Sequence, residues 1–375
     1  MDQLKPKLLV TYFFPPHIGG IESYYLELLA QLNSAEISVL AQHQTGDKEF
    51  DETLNYPVYR TEFFAGQLPP RWLSLRSELK KIIKKRRVET LIFGHFHPFN
   101  AIGHWLNTPY YLFGHGTDIR RIKNSWWQKL FFKYTYKYCR GLILNSQYLA
   151  TAVSALIADQ TKIHVVYPGV NYDSLNQTFD SRIESERLGI GADDLIILSM
   201  GRLVHDKGYA NVIKSLPTLI QTFPKIKYII AGTGPEESNL KNLVADLKLD
   251  NHVVFTGAVA NNDQSKASYY QLANIYVGVS LAPEGLGVSY LEAQACAIPV
   301  IASRHGGSSE AVVDGQTGLL IEPGNQTALI DALAKLLGDE DLCQRLGNTG
   351  RQRVKAEFNW PTQAAKIMKI IDGAI

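Results

Sequence analysis

Short apolar runs alternate with stretches of helical periodicity along almost the whole chain, and this alternation limits the fold more than any other feature. Leu8-Leu9-Val10 opens the pattern and ends in the loop Phe13-Phe14-Pro15-Pro16-His17-Ile18-Gly19-Gly20. After the loop, Ile21, Tyr24, Tyr25, Leu28, Leu29 and Leu32 fall on one helical stripe. Further runs at 37–41, 90–94, 110–114, 141–144 and 163–166 are mostly separated by helical patterns. A strand that is apolar on both faces and followed by a helix belongs in a parallel sheet covered on both sides. Residues 168–185 carry turn formers without sustained periodicity and read as a linker. The alternation then restarts at 195–200, 228–231, 253–256, 274–278, 300–302 and 318–321, with a helical tail from about Leu329 to Ile375. The expected class is α/β, with two Rossmann-like doubly wound domains, 1–170 and 186–357, facing across a cleft. A last helix, about 358–375, is expected to pack back on the first domain.

A chain of 375 residues with 45% apolar and 20% charged residues has ample core for two such domains. Cys139, Cys296 and Cys343 are odd in number and lack metal spacing, which argues against a disulfide scaffold or zinc site and for a reducing cytoplasm. MDQLKPKLLV has no long apolar core, so no signal peptide is expected. The stretch Thr90–Thr117 lacks Asp, Glu, Lys and Arg, yet its histidines, prolines and glycines make it strand, loop, helix and strand rather than a membrane span. The net charge of +2 is uneven: residues 1–180 hold 20 Lys and Arg against 15 Asp and Glu. Such an excess suits an acidic partner for the first half, a membrane surface or nucleic acid. Leu75–Arg87 and the aromatic-basic stretch Trp126–Lys133 are candidate anchors, although the first serves equally well as a solvated helix packed on its sheet.

Four loops at strand ends carry the candidate chemistry. In Pro283-Glu284-Gly285-Leu286-Gly287-Val288-Ser289-Tyr290-Leu291-Glu292-Ala293, a glycine-punctuated loop opens a helix. Bare backbone and unpaired N–H groups there suit phosphate or sugar hydroxyls. A lone Glu is usually solvated, but Glu284 and Glu292 project from an otherwise apolar element. Gly201-Arg202-Leu203-Val204-His205-Asp206-Lys207-Gly208 places two cations at a strand end, where they can neutralise a diphosphate. Gly19-Gly20 is a tight turn before a helix without the full G-x-G-x-x-G or Walker pattern. His115, within Gly114-His115-Gly116-Thr117-Asp118, is as much a structural candidate as a functional one. His95-x-His97 has no third ligand in reach, so no metal site is expected.

Together these segments resemble the retaining glycosyltransferases of family 4, which have the GT-B fold. Glu284 to Ala293 looks like the family's E-G-x-G-x-x-x-L-E-A, and Gly201 to Gly208 like its G-R-x-x-x-x-K-G. Gly19-Gly20, His115-Gly116-x-Asp118, Gly232-Thr233-Gly234-Pro235 and Gly306-Gly307-x-x-Glu310 match further elements. GLGVSYLEAQAC and FPPHIGGIESY resemble phosphatidylinositol mannosyltransferases in particular. Two positions depart from the family: Ala297 stands where a Gly is usual, and Leu286 replaces a frequent Phe.

The resemblance implies a nucleotide-sugar donor, with mannose from GDP-mannose the first choice, and a lipid or oligosaccharide acceptor. It implies no metal, no cofactor and no nucleic acid. Arg202, Lys207 and the Gly19-Gly20 turn would hold the diphosphate. Glu292 would bond the ribose, while Glu284 and the amides of Gly285, Leu286, Gly287 and Val288 would bond the sugar. His115 would lie under the sugar, and the base would sit near Thr233, Gly234 and Thr256 to Val259, including Gly257. Transfer would retain configuration by front-side attack, at the inner face of the cytoplasmic membrane. A UDP-sugar transferase, a nucleotide-sugar epimerase and a non-catalytic nucleotide-sugar binder remain as alternatives.

Overall fold

The apolar runs become the strands of two separate all-parallel sheets in the structure, a computed structural model that describes residues 5–17, 19–64, 71–177, 182–260 and 262–373. One unit holds the chain up to Gly169 together with the helix Trp360–Ile371; the other runs from Val170 to Asn359.

The first unit contains β1 (Lys7–Thr11), β2 (Ile37–Gln42), β3 (Val58–Thr61), β4 (Thr90–Phe93), β5 (Tyr110–Gly114), β6 (Gly141–Leu144) and β7 (Ile163–Val165), in the order β3-β2-β1-β4-β5-β6-β7. Leu9 pairs in register with Val39 on one side and Ile92 on the other. Successive side chains point to opposite faces, and the cores follow that rule. Leu8, Val10, Leu91 and Phe93 pack in one cluster, while Leu9, Ile92, Phe113 and Ile143 pack in another. The Trp360–Ile371 helix completes the second cluster.

The second unit contains β8 (Leu195–Met200), β9 (Ile226–Ala231), β10 (Val253–Gly257), β11 (Ile275–Gly278), β12 (Val300–Ser303) and β13 (Gly318–Ile321), in the order β10-β9-β8-β11-β12-β13. In each sheet the order reverses beside the first strand, between β1 and β4 and between β8 and β11. A doubly wound sheet opens a crevice at the carboxyl ends of the strands at that reversal.

Three local readings need correction. β3 was not expected, because the half-buried VYRT has no apolar run to announce it. The 168–185 stretch is more ordered than a linker: Val170 donates to Phe358 O at 2.7 Å, Tyr172–Leu175 forms one helical turn and Arg182 begins a helix to Leu188. Residues 178–181 of that stretch lie outside the described residues. The helix expected inside 90–117 is a 3-10 segment, Pro98–Leu106.

Candidate active site

In the second unit, glycines let the loops at the strand ends pack backbone to backbone. Leu203 N–H donates to Thr233 O at 2.9 Å, and Gly232 N–H donates to Gly257 O at 2.8 Å. A Cβ on Gly232 would stand 2.0 Å from Gly201 O, and one on Gly234 2.2 Å from Leu203 O. No side chain fits at such distances, so the sequence needs glycine there. These contacts bring Arg202, Thr233, Gly234, Thr256 and Gly257 to one edge.

The loops after β8 and β11 flank the reversal, and they meet through charge. Lys207 Nζ lies 2.8 Å from Glu284 Oε2. Ser280 Oγ donates to Glu284 Oε1, and the Tyr290 hydroxyl approaches the same oxygen at 3.4 Å. Burial alone would raise the Glu284 pKa, but Lys207, Ser280 and Tyr290 outweigh it and hold the carboxyl below its ordinary range. Glu284 is therefore a carboxylate at neutral pH. Arg202 in the same loop is exposed.

Gly287, at φ +87°, caps the helix Val288–Ala295, so the N–H groups of its first turn face the end of the loop. Tyr290 fixes this start. A Cβ on Gly278 or Gly287 would lie 2.2 or 2.3 Å from its ring, and its hydroxyl donates to Gly278 O at 2.8 Å. Leu286 is only 2% exposed, so this loop position contributes backbone while its side chain joins the core. Glu292 is held by Lys266 Nζ at 2.9 Å and by the Tyr270 hydroxyl at 2.8 Å. At the other end of the helix Ala297 takes φ +60°, the left-handed conformation that favours glycine.

Sequence reasoning missed Ser280, Tyr290, Lys266 and Tyr270. Lys266 and Tyr270 are four apart on the Asp263–Leu272 helix and so share a face, a signal that was present. Nothing in the spacing connects that face to Glu292.

In the first unit, His115 caps the helix Gly116–Asn124. Its Nε2 lies 3.2 Å from Gly94 O and 3.1 Å from the Tyr25 hydroxyl, which itself donates to Gly94 O. Burial pushes the His115 pKa down to about 4, so the ring is neutral at pH 7. Asp118 accepts from the N–H groups of Phe96 and His115, both at 3.2 Å, and ties the loops after β4 and β5 together. Gly19 is packed, for a Cβ there would meet Glu22 Oε2 at 2.3 Å. Gly20 faces open space, with nothing within 4 Å of an added Cβ. No group of three His, Cys, Asp or Glu that could hold a metal occurs among the described residues.

Two family profiles match the chain, "Glycosyltransferase Family 4" over residues 18–174 and "Glycosyl transferases group 1" over 180–353. The chain is 29% identical to the GDP-mannose-dependent alpha-(1-6)-phosphatidylinositol monomannoside mannosyltransferase of Mycolicibacterium smegmatis, with 98% of each chain covered. It is 28% identical to a GDP-mannose-dependent monoacylated alpha-(1-6)-phosphatidylinositol monomannoside mannosyltransferase of Corynebacterium glutamicum, with 99% of each covered. Among solved structures, Anabaena HepE in complex with UDP superposes with a TM-score of 0.85 at 20% identity, covering 98% of this chain and 100% of that one. Sucrose-phosphate synthase of Thermosynechococcus elongatus follows at 0.82 and 21%, with 99% of each covered. With both profiles spanning nearly its full length and both sheets of the GT-B type, the chain belongs to glycosyltransferase family 4.

Proposed function

We propose that this protein is a metal-independent, retaining mannosyltransferase that uses GDP-mannose and a lipid or oligosaccharide acceptor at an anionic membrane surface. The observation that carries the reading is the Lys207–Glu284 pair at the reversal between β8 and β11, beside the start of the Val288–Ala295 helix. A cation, a carboxylate and the N-terminal end of that helix converge there, which suits a diphosphate joined to a sugar. The names of the relatives from M. smegmatis and C. glutamicum support GDP-mannose and a phosphatidylinositol glycolipid as donor and acceptor.

In the proposed reaction the bond from the anomeric carbon to the β-phosphate oxygen breaks. The acceptor oxygen bonds that carbon on the same face, and its proton passes to the departing phosphate oxygen. Arg202 and Lys207 stabilise the charge on the diphosphate, the role a metal plays elsewhere. Glu284 holds sugar hydroxyls and supports the developing positive charge, while Glu292 bonds the ribose. Thr233, Gly234, Thr256 and Gly257 line the base. Gly19, Gly20 and His115 are assigned to diphosphate and sugar by their motifs.

The test is nucleotide release from GDP-mannose, UDP-glucose and UDP-galactose, with and without a phosphatidylinositol glycolipid, in the presence of EDTA. The reading predicts acceptor-dependent GDP release and an α-linked product by NMR. A β-linked product would overturn retention, and a strict requirement for Mg²⁺ would overturn the metal-free reading. Release only from a UDP-sugar would move the donor. An isomerised sugar without transfer would make the protein an epimerase, and binding without either would make it a non-catalytic binder.

A further inference from the structure

The Leu75–Arg86 helix cannot insert its apolar face anywhere, because Leu75, Leu79 and Ile82 are already buried in the core of the first unit. The exposed apolar surface of that unit lies elsewhere. On the helix Trp126–Tyr138, Phe132, Thr135 and Tyr136 face the core, while Trp126 is 78% exposed, Leu130 62% and Trp127 42%. Trp105 and Leu73, 41% and 43% exposed, extend the same surface. The link is a chain of ring contacts: Trp127 to Phe131 at 6.2 Å, Phe131 to Trp72 at 6.4 Å and Trp72 to Trp105 at 6.5 Å. Leu73 neighbours Trp72 in the turn Arg71–Ser74. A soluble protein does not leave a patch with three exposed tryptophans unless something covers it.

Charge identifies what covers it. From Ile119 to Ala158 there is no Asp or Glu, while seven Lys and Arg occur. Trp126, Leu130, Lys133 and Lys137 follow one another on a single stripe, and both lysines are exposed. Lys133, Lys137 and Lys162 border a groove of about 350 Å³ beside Tyr136 and Leu156; Asp159 also lines it, its carboxylate accepting from the Thr161 N–H at 2.9 Å and the Thr161 hydroxyl at 2.6 Å, so the cations outnumber the acid three to one. Tryptophan favours the headgroup level of a bilayer, and a cationic flank favours anionic lipid. We infer that the solvent face of the Trp126–Tyr138 helix, with Trp105 and Leu73, docks on an anionic phospholipid bilayer, Trp126, Trp127 and Leu130 entering the interface and Lys133, Lys137 and Lys162 holding lipid phosphates. This names a surface for the membrane association proposed above, and it stands or falls separately, because vesicle binding needs neither donor nor acceptor.

The experiment is flotation of the full chain with vesicles of phosphatidylcholine alone or mixed with phosphatidylglycerol, together with quenching of tryptophan fluorescence by brominated acyl chains. Expected are preferential flotation with the anionic vesicles, weakening as salt rises, and quenching on binding. A Trp126→Ser/Leu130→Gln double variant should partition at least ten-fold more weakly, with an unchanged melting temperature and unchanged affinity for GDP. Lys80→Gln/Lys84→Gln on the Leu75–Arg86 helix should cost less. Equal flotation with neutral and anionic vesicles overturns the inference. So does a Trp126→Ser/Leu130→Gln variant that floats like the parent, or a concentration-dependent dimer that this variant abolishes while the parent does not float.

Discussion

Glu284 keeps its charge in a largely buried place because Lys207 sits 2.8 Å away and two hydroxyls face its other oxygen. The pairing changes what a substitution does. Glu284→Gln removes the support for a developing positive charge and should lower kcat roughly 10²-fold. It also releases Lys207 toward the diphosphate, so affinity for free GDP should hold or rise. Calorimetry beside steady-state kinetics separates the two, and a fall in GDP affinity equal to the fall in kcat would sink the assignment. Tyr290→Phe tests the support of that carboxylate: the ring still fills the space against Gly278 and Gly287, but both hydroxyl contacts go. A several-fold loss in kcat with little change in melting temperature is expected. Gly20 allows a cleaner separation of fold from function. Space exists for a methyl group there, so Gly20→Ala should fold normally yet weaken GDP binding if bare backbone at that turn must approach phosphate. Unchanged GDP affinity in a normally folded variant would remove Gly20 from the site.

The elements that present these residues were legible wherever the chain repeats a strong pattern. All six strands of the second unit follow from apolar runs bounded by turn residues, as do the loops that follow β8 and β11. β3 was hidden because an edge strand needs few apolar residues, and the Tyr172–Leu175 turn because four residues show no period. The ion pairs were hidden for another reason: Lys207 and Glu284 are 77 residues apart, and only the sheet order makes them neighbours. Ala297 was visible as a departure from the family, and the structure supplies its cost. It follows the Val288–Ala295 helix in the left-handed conformation, with Ile298 N–H donating to Ala293 O at 3.1 Å. Ala297→Gly should stabilise the chain by roughly 0.5–1 kcal/mol, the relief of left-handed strain exceeding the added freedom of the unfolded chain. Chemical denaturation measures this, and a destabilised glycine variant would show that the strain is absent. The loops after β4 and β5 carry a pH signature. Burial, with Arg121 adding to it, brings the His97 pKa down to about 4, and burial does the same for His115. His95 is held well below its ordinary value by burial, with His97, His115 and Arg121 adding to it. Unfolded histidines titrate near 6.5, so the unfolded chain binds more protons below that pH, and the stability these rings confer is lost from about 6.5 down through 4. Asp118 works in the opposite sense, since burial raises it to about 7 and its contribution fades as pH climbs toward that value. His97→Asn should therefore flatten the fall of stability between pH 6.5 and 4.5, by up to about 1.4 kcal/mol per pH unit. Asp118→Asn should steepen it. Melting curves across that range test the pair, and slopes moving in the same direction would contradict it.

At the scale of the whole molecule, the chain is not two halves in series. It leaves the first unit at Gly169, builds the second through Asn359 and returns with Trp360–Ile371. The return is built into the first unit at several points. A Cβ on Gly169 would stand 2.5 Å from Trp360 Cα, the Tyr111 hydroxyl donates to Ile370 O at 2.9 Å, and buried Lys7 pairs with Asp372 at 3.2 Å. Trp360, Ala364, Ile367, Ile370 and Ile371 are each at most 7% exposed and pack with Leu9, Val39, Ile92, Phe113 and Ile143. A large apolar side chain contributes about 1.5–3 kcal/mol when fully buried, so this helix is worth on the order of 6–12 kcal/mol to the unit it joins. That is comparable with the roughly 5–15 kcal/mol that holds an entire domain folded. Ending the chain at Asn359 should therefore unfold the first unit, although more than 160 of its residues are intact and in sequence. The second unit keeps its own sheet and the Lys207–Glu284 and Lys266–Glu292 pairs. Hydrogen exchange on the truncated chain should show amides of β1 to β7 unprotected and those of β8 to β13 protected, and residual GDP binding should survive in the protected part. Protection of β1 and β5 at the level of the full chain would show that the returning helix is an accessory of the first unit and not a part of its core.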